Sequence, residues 1–187
     1  MLHEFPVERR CTHRYEPFQL RFARHALRRL PSREDVMFLA NHGGLVLRGK
    51  TEAALERHIR VLKAYYGDQV DVGPVTVRLH QGATTEEPYM GLGILCAREH
   101  LEVIKADLRE RDAVIFDEDV TPQFGVIRAT AALAKVLGYA QTVSELGAGA
   151  SAVMWLSHYG PAKTTAAARD RRAPQVRASP EPLSASA

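Results

Sequence analysis

The sequence predicts an α+β protein made of two β-α-β-β-α-β units in tandem. Three observations lead there. The apolar period switches between two and about 3.6 in the same order twice along the chain. With 187 residues and 45 % apolar content, the chain can build one ordinary domain or two small ones. The charge also changes sign between the halves: residues 1–85 carry 14 Lys+Arg against 9 Asp+Glu, residues 86–160 carry 6 against 11. Such a reversal points to two units with different surfaces.

In the first unit, "PVERRCTH" reads as a polar strand. "EPFQLRFARHALRRLP" reads as a helix, with Leu20, Ala23, Leu27 and Leu30 on one apolar stripe and Pro31 as its stop. Arg21, Arg24 and Arg28 form a basic stripe beside it. "DVMFLAN" and "GLVLRG" are strands joined by the turn "HGG". "TEAALERHIRVLKAYYG" is the clearest helix. Thr51 is its N-cap, Glu52 lies in its first turn, and Leu55, Ile59, Leu62 and Tyr66 form its buried face. Gly67 sits at the C′ position. "VDVGPVTVRLH" is a strand. The polar first strand should be central in this order, so it is either an edge strand or out of register.

The second unit repeats the order. "PYMGLGILCA" alternates, with Met90, Leu92, Ile94 and Cys96 on one face. "REHLEVIKADLRER" is a helix burying Leu101, Ile104 and Leu108. "AVIFDED" and "FGVIRAT" are strands, "AALAKVLG" is a short helix stopped by Gly138, and "SAVMWLSH" is the last strand. Each half is thus a ferredoxin-like split βαβ unit. The expected organisation is a unit over 1–80, a linker over 81–86, a second unit over 87–160 and a tail over 161–187. The tail "PAKTTAAARDRRAPQVRASPEPLSASA" has no apolar periodicity and is expected to be disordered.

Several function classes are disfavoured. Cys11 and Cys96 form neither a close pair nor a zinc spacing, which suits a reducing cytosol. No apolar run approaches the roughly 18 residues of a membrane span. The start "MLHEFPVERR" has no apolar core of a signal peptide. A cytoplasmic location without membrane contact is expected. Asp117–Asp119 reads as a solvated acidic turn rather than a cation site, and His42 as a polar turn residue. Ser157 and His158 are adjacent in a strand, so their side chains should point to opposite faces and form no nucleophile–base pair. No catalytic group, metal or cofactor is expected.

Four short motifs then fall in order: Glu87-Pro88-Tyr89-Met90, Val126-Ile127-Arg128-Ala129, Leu137-Gly138-Tyr139-Ala140 and Ser157-His158-Tyr159. With them, residues 87–159 resemble the last domain, domain V, of the elongation factor G family of translational GTPases. Residues 6–80 are similar to domain III of that family. The cues are "LVLRGKTEAALE", Leu62 to Tyr66, and Val72-Gly73-Pro74-Val75. The resemblance covers about four fifths of the chain and implies a ribosome-facing role.

The departures limit that role. Gly44 to Thr51, "GLVLRGKT", matches the spelling G-x-x-x-x-G-K-[ST], but its first six residues read as a strand rather than a loop, so no GTP phosphate site is expected. The linker stands where the family inserts its decoding-centre domain. The family's "G-M-G-E-L-H-L-E" keeps only Gly49, Glu52, Leu55 and Glu56, with Ala54 at the histidine position. The family's "Q-G-R-G" is shortened to "AGAS", with Ala150 at the arginine position.

Two function classes follow. One is a non-enzymatic, translation-factor-derived binding protein that touches the ribosome, ribosomal RNA or a translational GTPase through its N-terminal half. Arg21, Arg24, Arg28, Arg10, Arg14 and Lys50 are then the RNA-binding candidates. The other is a repurposed pair of units that binds a small molecule or a protein in the cleft between them, with Tyr139 and Trp155 as aromatic candidates. Exposed edge strands allow a homodimer as readily as a monomer.

Overall fold

The structure, a computed structural model, describes residues 4–162. From residue 163 on, the expected tail lies outside the described residues.

The first unit runs β1 (Val7–His13), α1 (Gln19–Leu27), β2 (Val36–Asn41), β3 (Gly44–Gly49), α2 (Glu52–Tyr66) and β4 (Val70–Val77). Its antiparallel sheet has the order β2-β3-β1-β4. A two-residue strand, β5 (His80–Gln81), follows. The second unit runs β6 (Thr85–Ala97), α3 (Leu101–Glu110), β7 (Val114–Val120), β8 (Phe124–Ala132), α4 (Tyr139–Leu146) and β9 (Ser151–Pro161). Here β7, β8, β6 and β9 lie side by side, and β5 pairs with the start of β6. Two ferredoxin-like units in tandem are therefore present. Half of the expected linker, residues 81–86, is strand: β5 and β6 form a hairpin closed by the Gly82 N–H donating to the Thr84 carbonyl (3.2 Å).

Strand β1 is central despite its polar sequence. Val7 and Cys11 are fully buried on the helix side. Arg9 shares that side; it donates to the Gly73 carbonyl (2.7 Å) and pairs with Glu56 on α2. Glu8 faces the other way and pairs with Arg48 (2.7 Å) and Arg78 (3.7 Å). A bulge between Arg9 and Cys11 re-aims the strand in its pairing with β4. The charges are tolerated in a central strand because each has a partner.

Helix α1 is rotated from the expected stripe. Phe22, Ala23 and Ala26 form its buried face, with Leu30 beyond its end, while Leu20 and Leu27 are only partly covered. Helix α2 follows the sequence closely. Thr51 Oγ1 accepts from the Ala54 N–H (3.3 Å), Gly67 ends the helix at φ 55°, and Leu55, Ile59 and Leu62 are buried. His58 is buried on the same face and was not expected there.

In the second unit Met90, Leu92, Ile94 and Cys96 are all buried, as are Leu101, Ile104 and Leu108. The expected helix "AALAKVLG" does not form. Ala131 and Ala132 extend β8, a 3₁₀ turn covers Leu133–Lys135, and the helix starts after Gly138, whose φ of 72° opens it instead of closing it. The reason is tertiary: β6 is 13 residues long, and Tyr89 and Met90 pair with Ala132 and Ala131. A polar link joins the units, where the Gly138 N–H donates to Glu52 Oε2 (2.6 Å).

Both cysteines are buried free thiols. Burial pushes the Cys11 thiol up to about 11, with Arg9 lowering it slightly. Below its ordinary value near 9 the thiol is protonated in both states, and its contribution to stability is complete. As pH rises from there the unfolded chain ionises first, so stability falls by roughly 2–3 kcal/mol by about pH 11. Denaturant titrations between pH 8 and 11 should show this slope, and Cys11→Ala should flatten it. Ellman's reagent at pH 8 should label neither thiol in the folded chain. Rapid labelling of the native protein would contradict the burial of both.

Candidate functional site

The basic stripe lies along a groove of about 750 Å³ that runs beside α1. Arg21, Arg24 and Arg28 line it from α1, His13 from the end of β1, His42 from the β2–β3 turn and Tyr66 from the end of α2. Topology assembles it. β1 ends and β3 begins at the same end of the sheet, where α1 starts and α2 finishes.

Its wall is a set of rings in contact. His13 lies 5.5 Å from Phe22 and 6.0 Å from Tyr66, and Phe22 and Tyr66 stand edge to face at 5.2 Å. His25 Nδ1 is 2.7 Å from the Tyr66 hydroxyl. Burial raises the Tyr66 phenol, and Arg29 pulls it back slightly. The imidazole of His13 is held by Gln69 Oε1 at 3.1 Å. Glu16 is the carboxylate of the lining. It accepts from the Phe18 N–H (3.2 Å) and stands 3.9 Å from Arg21 Nε. Arg21 is 80 % exposed, so that pair is weak and leaves the guanidinium open to an anion. Three arginines against one carboxylate give the groove an excess of positive charge.

The other candidate cations stand elsewhere. Arg14 pairs with Asp71 (2.8 Å); the shared hydrogen bond raises the guanidinium and holds the Asp71 carboxyl below its ordinary range. The side chain of Arg10 lies against Gly43, outside the groove lining. Lys50 follows β3 at the opposite end of the sheet, where its N–H donates to the Asp35 carbonyl (3.0 Å).

Tyr139 does not line a cleft. It is fully buried in the second unit's core, with Arg111 over its ring at 4.8 Å. Its place at the start of α4 turns it inward, and burial, then Asp107, drives its phenol upward. Trp155 lies on β9, about half exposed, on the sheet face opposite the helices. Its indole rests across Gly91 and Gly93 of β6. Val153, Leu95 and Phe124 share that open face.

Ser157 and His158 do come together, against the strand expectation. The β6–β9 pairing shifts register between Tyr89 and Met90, which leaves Ser157 bulged, and His158 Nδ1 lies 3.2 Å from Ser157 Oγ. Both are exposed, and His158 stacks on Tyr89 with ring centroids 5.0 Å apart. Asp117 and Glu118 lie in β7, paired with Arg128 and Lys105. Among the described residues no three His, Cys, Asp or Glu side chains gather as a metal site. Nor, among them, is any helix long and apolar enough to cross a membrane.

Sequence reasoning set Arg21, Arg24 and Arg28 on one stripe and singled out His42, but did not place His13, His25 or Tyr66 beside them. Phe22 next to Arg21 hinted at a mixed aromatic and basic surface, but the His25–Tyr66 contact spans 41 residues and leaves no local pattern.

No family model matches the chain, and no curated protein matches it. Solved structures do: 140 chains share the fold, too common a frame to fix a function. One is a crystal structure of a protein from Thermus thermophilus, with a TM-score of 0.57 and 15 % identity. The match covers 85 % of this chain and 41 % of that one, so the chain spans less than half the length of that protein. At this identity the likeness shows the fold alone.

Proposed function

We propose that this chain is a non-enzymatic, translation-factor-derived binding protein that docks on ribosomal RNA through the groove beside α1. The observation that carries the reading is the set of Arg21, Arg24 and Arg28 along one open groove with a single carboxylate among its lining. Guanidinium groups so placed neutralise phosphates. The second half, with 6 Lys+Arg against 11 Asp+Glu over residues 86–160, repels RNA.

Co-sedimentation of the purified chain with ribosomes at two salt concentrations tests the reading. About three phosphate contacts give a log–log salt slope of roughly −2 to −3. Between 50 and 200 mM salt the affinity should then fall about 16- to 64-fold. Salt-insensitive pelleting, or none at 50 mM, would sink the proposal.

A second reading, docking of a protein partner, is favoured by the open face of the second sheet. Trp155, Val153, Leu95 and Phe124 form an apolar surface there, in a half whose charge does not suit RNA. Absence of ribosome binding would move the argument to that face.

A further inference from the structure

We infer that the groove beside α1 takes unpaired RNA in preference to duplex, a conclusion that rests on the RNA-docking reading above. The observation is the mixing of exposed rings with the arginines. Phe18, just before α1, lines the groove and is 71 % exposed. Tyr15 stands close to it on the chain at 72 % exposure, its ring 6.4 Å from His13. Neither ring has a packing role in the core. Behind them the contacting rings of His13, Phe22, Tyr66 and His25 make a firm wall.

Aromatic faces serve unpaired bases, which can splay out and stack on them, whereas paired bases are already stacked on each other. The scale agrees. Arg21 to Arg28 covers about 10 Å of helix, at 1.5 Å per residue. That is room for a few nucleotides. Shape recognition of duplex RNA instead spans about 16 base pairs across two minor grooves. Phosphates would meet Arg21, Arg24 and Arg28 while a base stacks on Phe18.

Fluorescence anisotropy of the full chain tests this with three probes: a labelled unstructured 12-nucleotide RNA, the same sequence as a duplex, and heparin as an anion without bases. Single strands should bind at least about tenfold tighter than duplex. Phe18→Ala should weaken single-strand binding about 5- to 150-fold, the worth of one stacked base, and leave the salt slope unchanged. Phe18→Tyr should restore it, and circular dichroism should show all three proteins equally folded. Equal affinity for all three probes would overturn the stacking inference and leave the docking reading standing. So would ribosome pelleting without any binding to the free single strand. An unchanged Phe18→Ala affinity would also overturn it. Failure of both oligonucleotide binding and ribosome pelleting would remove the two together.

Discussion

Reversing Arg21, Arg24 and Arg28 to glutamate together is expected to remove the chain from the ribosomal pellet without unfolding it. The three side chains point away from Phe22, Ala23 and Ala26, the residues that hold α1 to the sheet. Glutamate has nearly the helix propensity of arginine. The first turn of α1 holds no acidic residue, so a glutamate at position 21 sits well against the helix dipole. Near the C-terminal end the same change is unfavourable, and the net effect on stability should stay under about 1 kcal/mol. Binding loses far more. Three attractions become three repulsions, and at low salt the affinity should fall at least about a hundredfold. The matched triple glutamine variant should fall between. Pelleting of the triple glutamate variant at the wild-type level, with a native dichroism spectrum, would exclude this groove as the contact.

Gly44→Ala should be the most destabilising single-methyl change, costing roughly 2–4 kcal/mol. Gly44 opens β3 at φ 113°, a conformation that L side chains rarely adopt. An added Cβ there would also run into the carbonyl oxygen of Cys11, which is backbone in the neighbouring central strand and cannot step aside. The adjacent Gly43 is the control. Its Cβ would meet the far end of the Arg10 side chain at 2.6 Å, and that end can swing away. Gly43→Ala should therefore cost under about 1 kcal/mol. Urea titrations followed by circular dichroism separate the two. Equal midpoints for the variants would refute the backbone argument.

The parts of the fold that could be read from the sequence are those set by local physics. The alternation of Met90, Leu92, Ile94 and Cys96, and the cap and stripe of α2, needed no knowledge of distant neighbours. The stretch 131–138 failed because three alanines and a lysine favour a helix locally, while the length of β6 demands a partner strand. Strand β1 was ambiguous for a related reason. Glu8 and Arg9 are acceptable in a central strand only because Arg48, Arg78 and Glu56 arrive from elsewhere. In the groove, the arginine spacing on one helix was legible. The ring wall draws on β1, α1 and α2, and its contacts have no fixed sequence spacing. The Ser157–His158 contact was hidden by a bulge, which the period-two rule does not anticipate.

The indole laid across Gly91 and Gly93 constrains how this protein can diverge. A methyl at position 91 collides with the Trp155 ring, while a methyl at 93 reaches only ordinary contact, 3.5 Å from it. Position 93 is thus free to drift to alanine on its own, and position 91 is not. A lineage acquires alanine at position 91 by first exchanging Trp155 for something smaller, and once that has happened, the return of tryptophan is blocked until glycine is restored. Among divergent copies of this chain, residues 91 and 155 should therefore covary as a pair, with the order of replacement running one way.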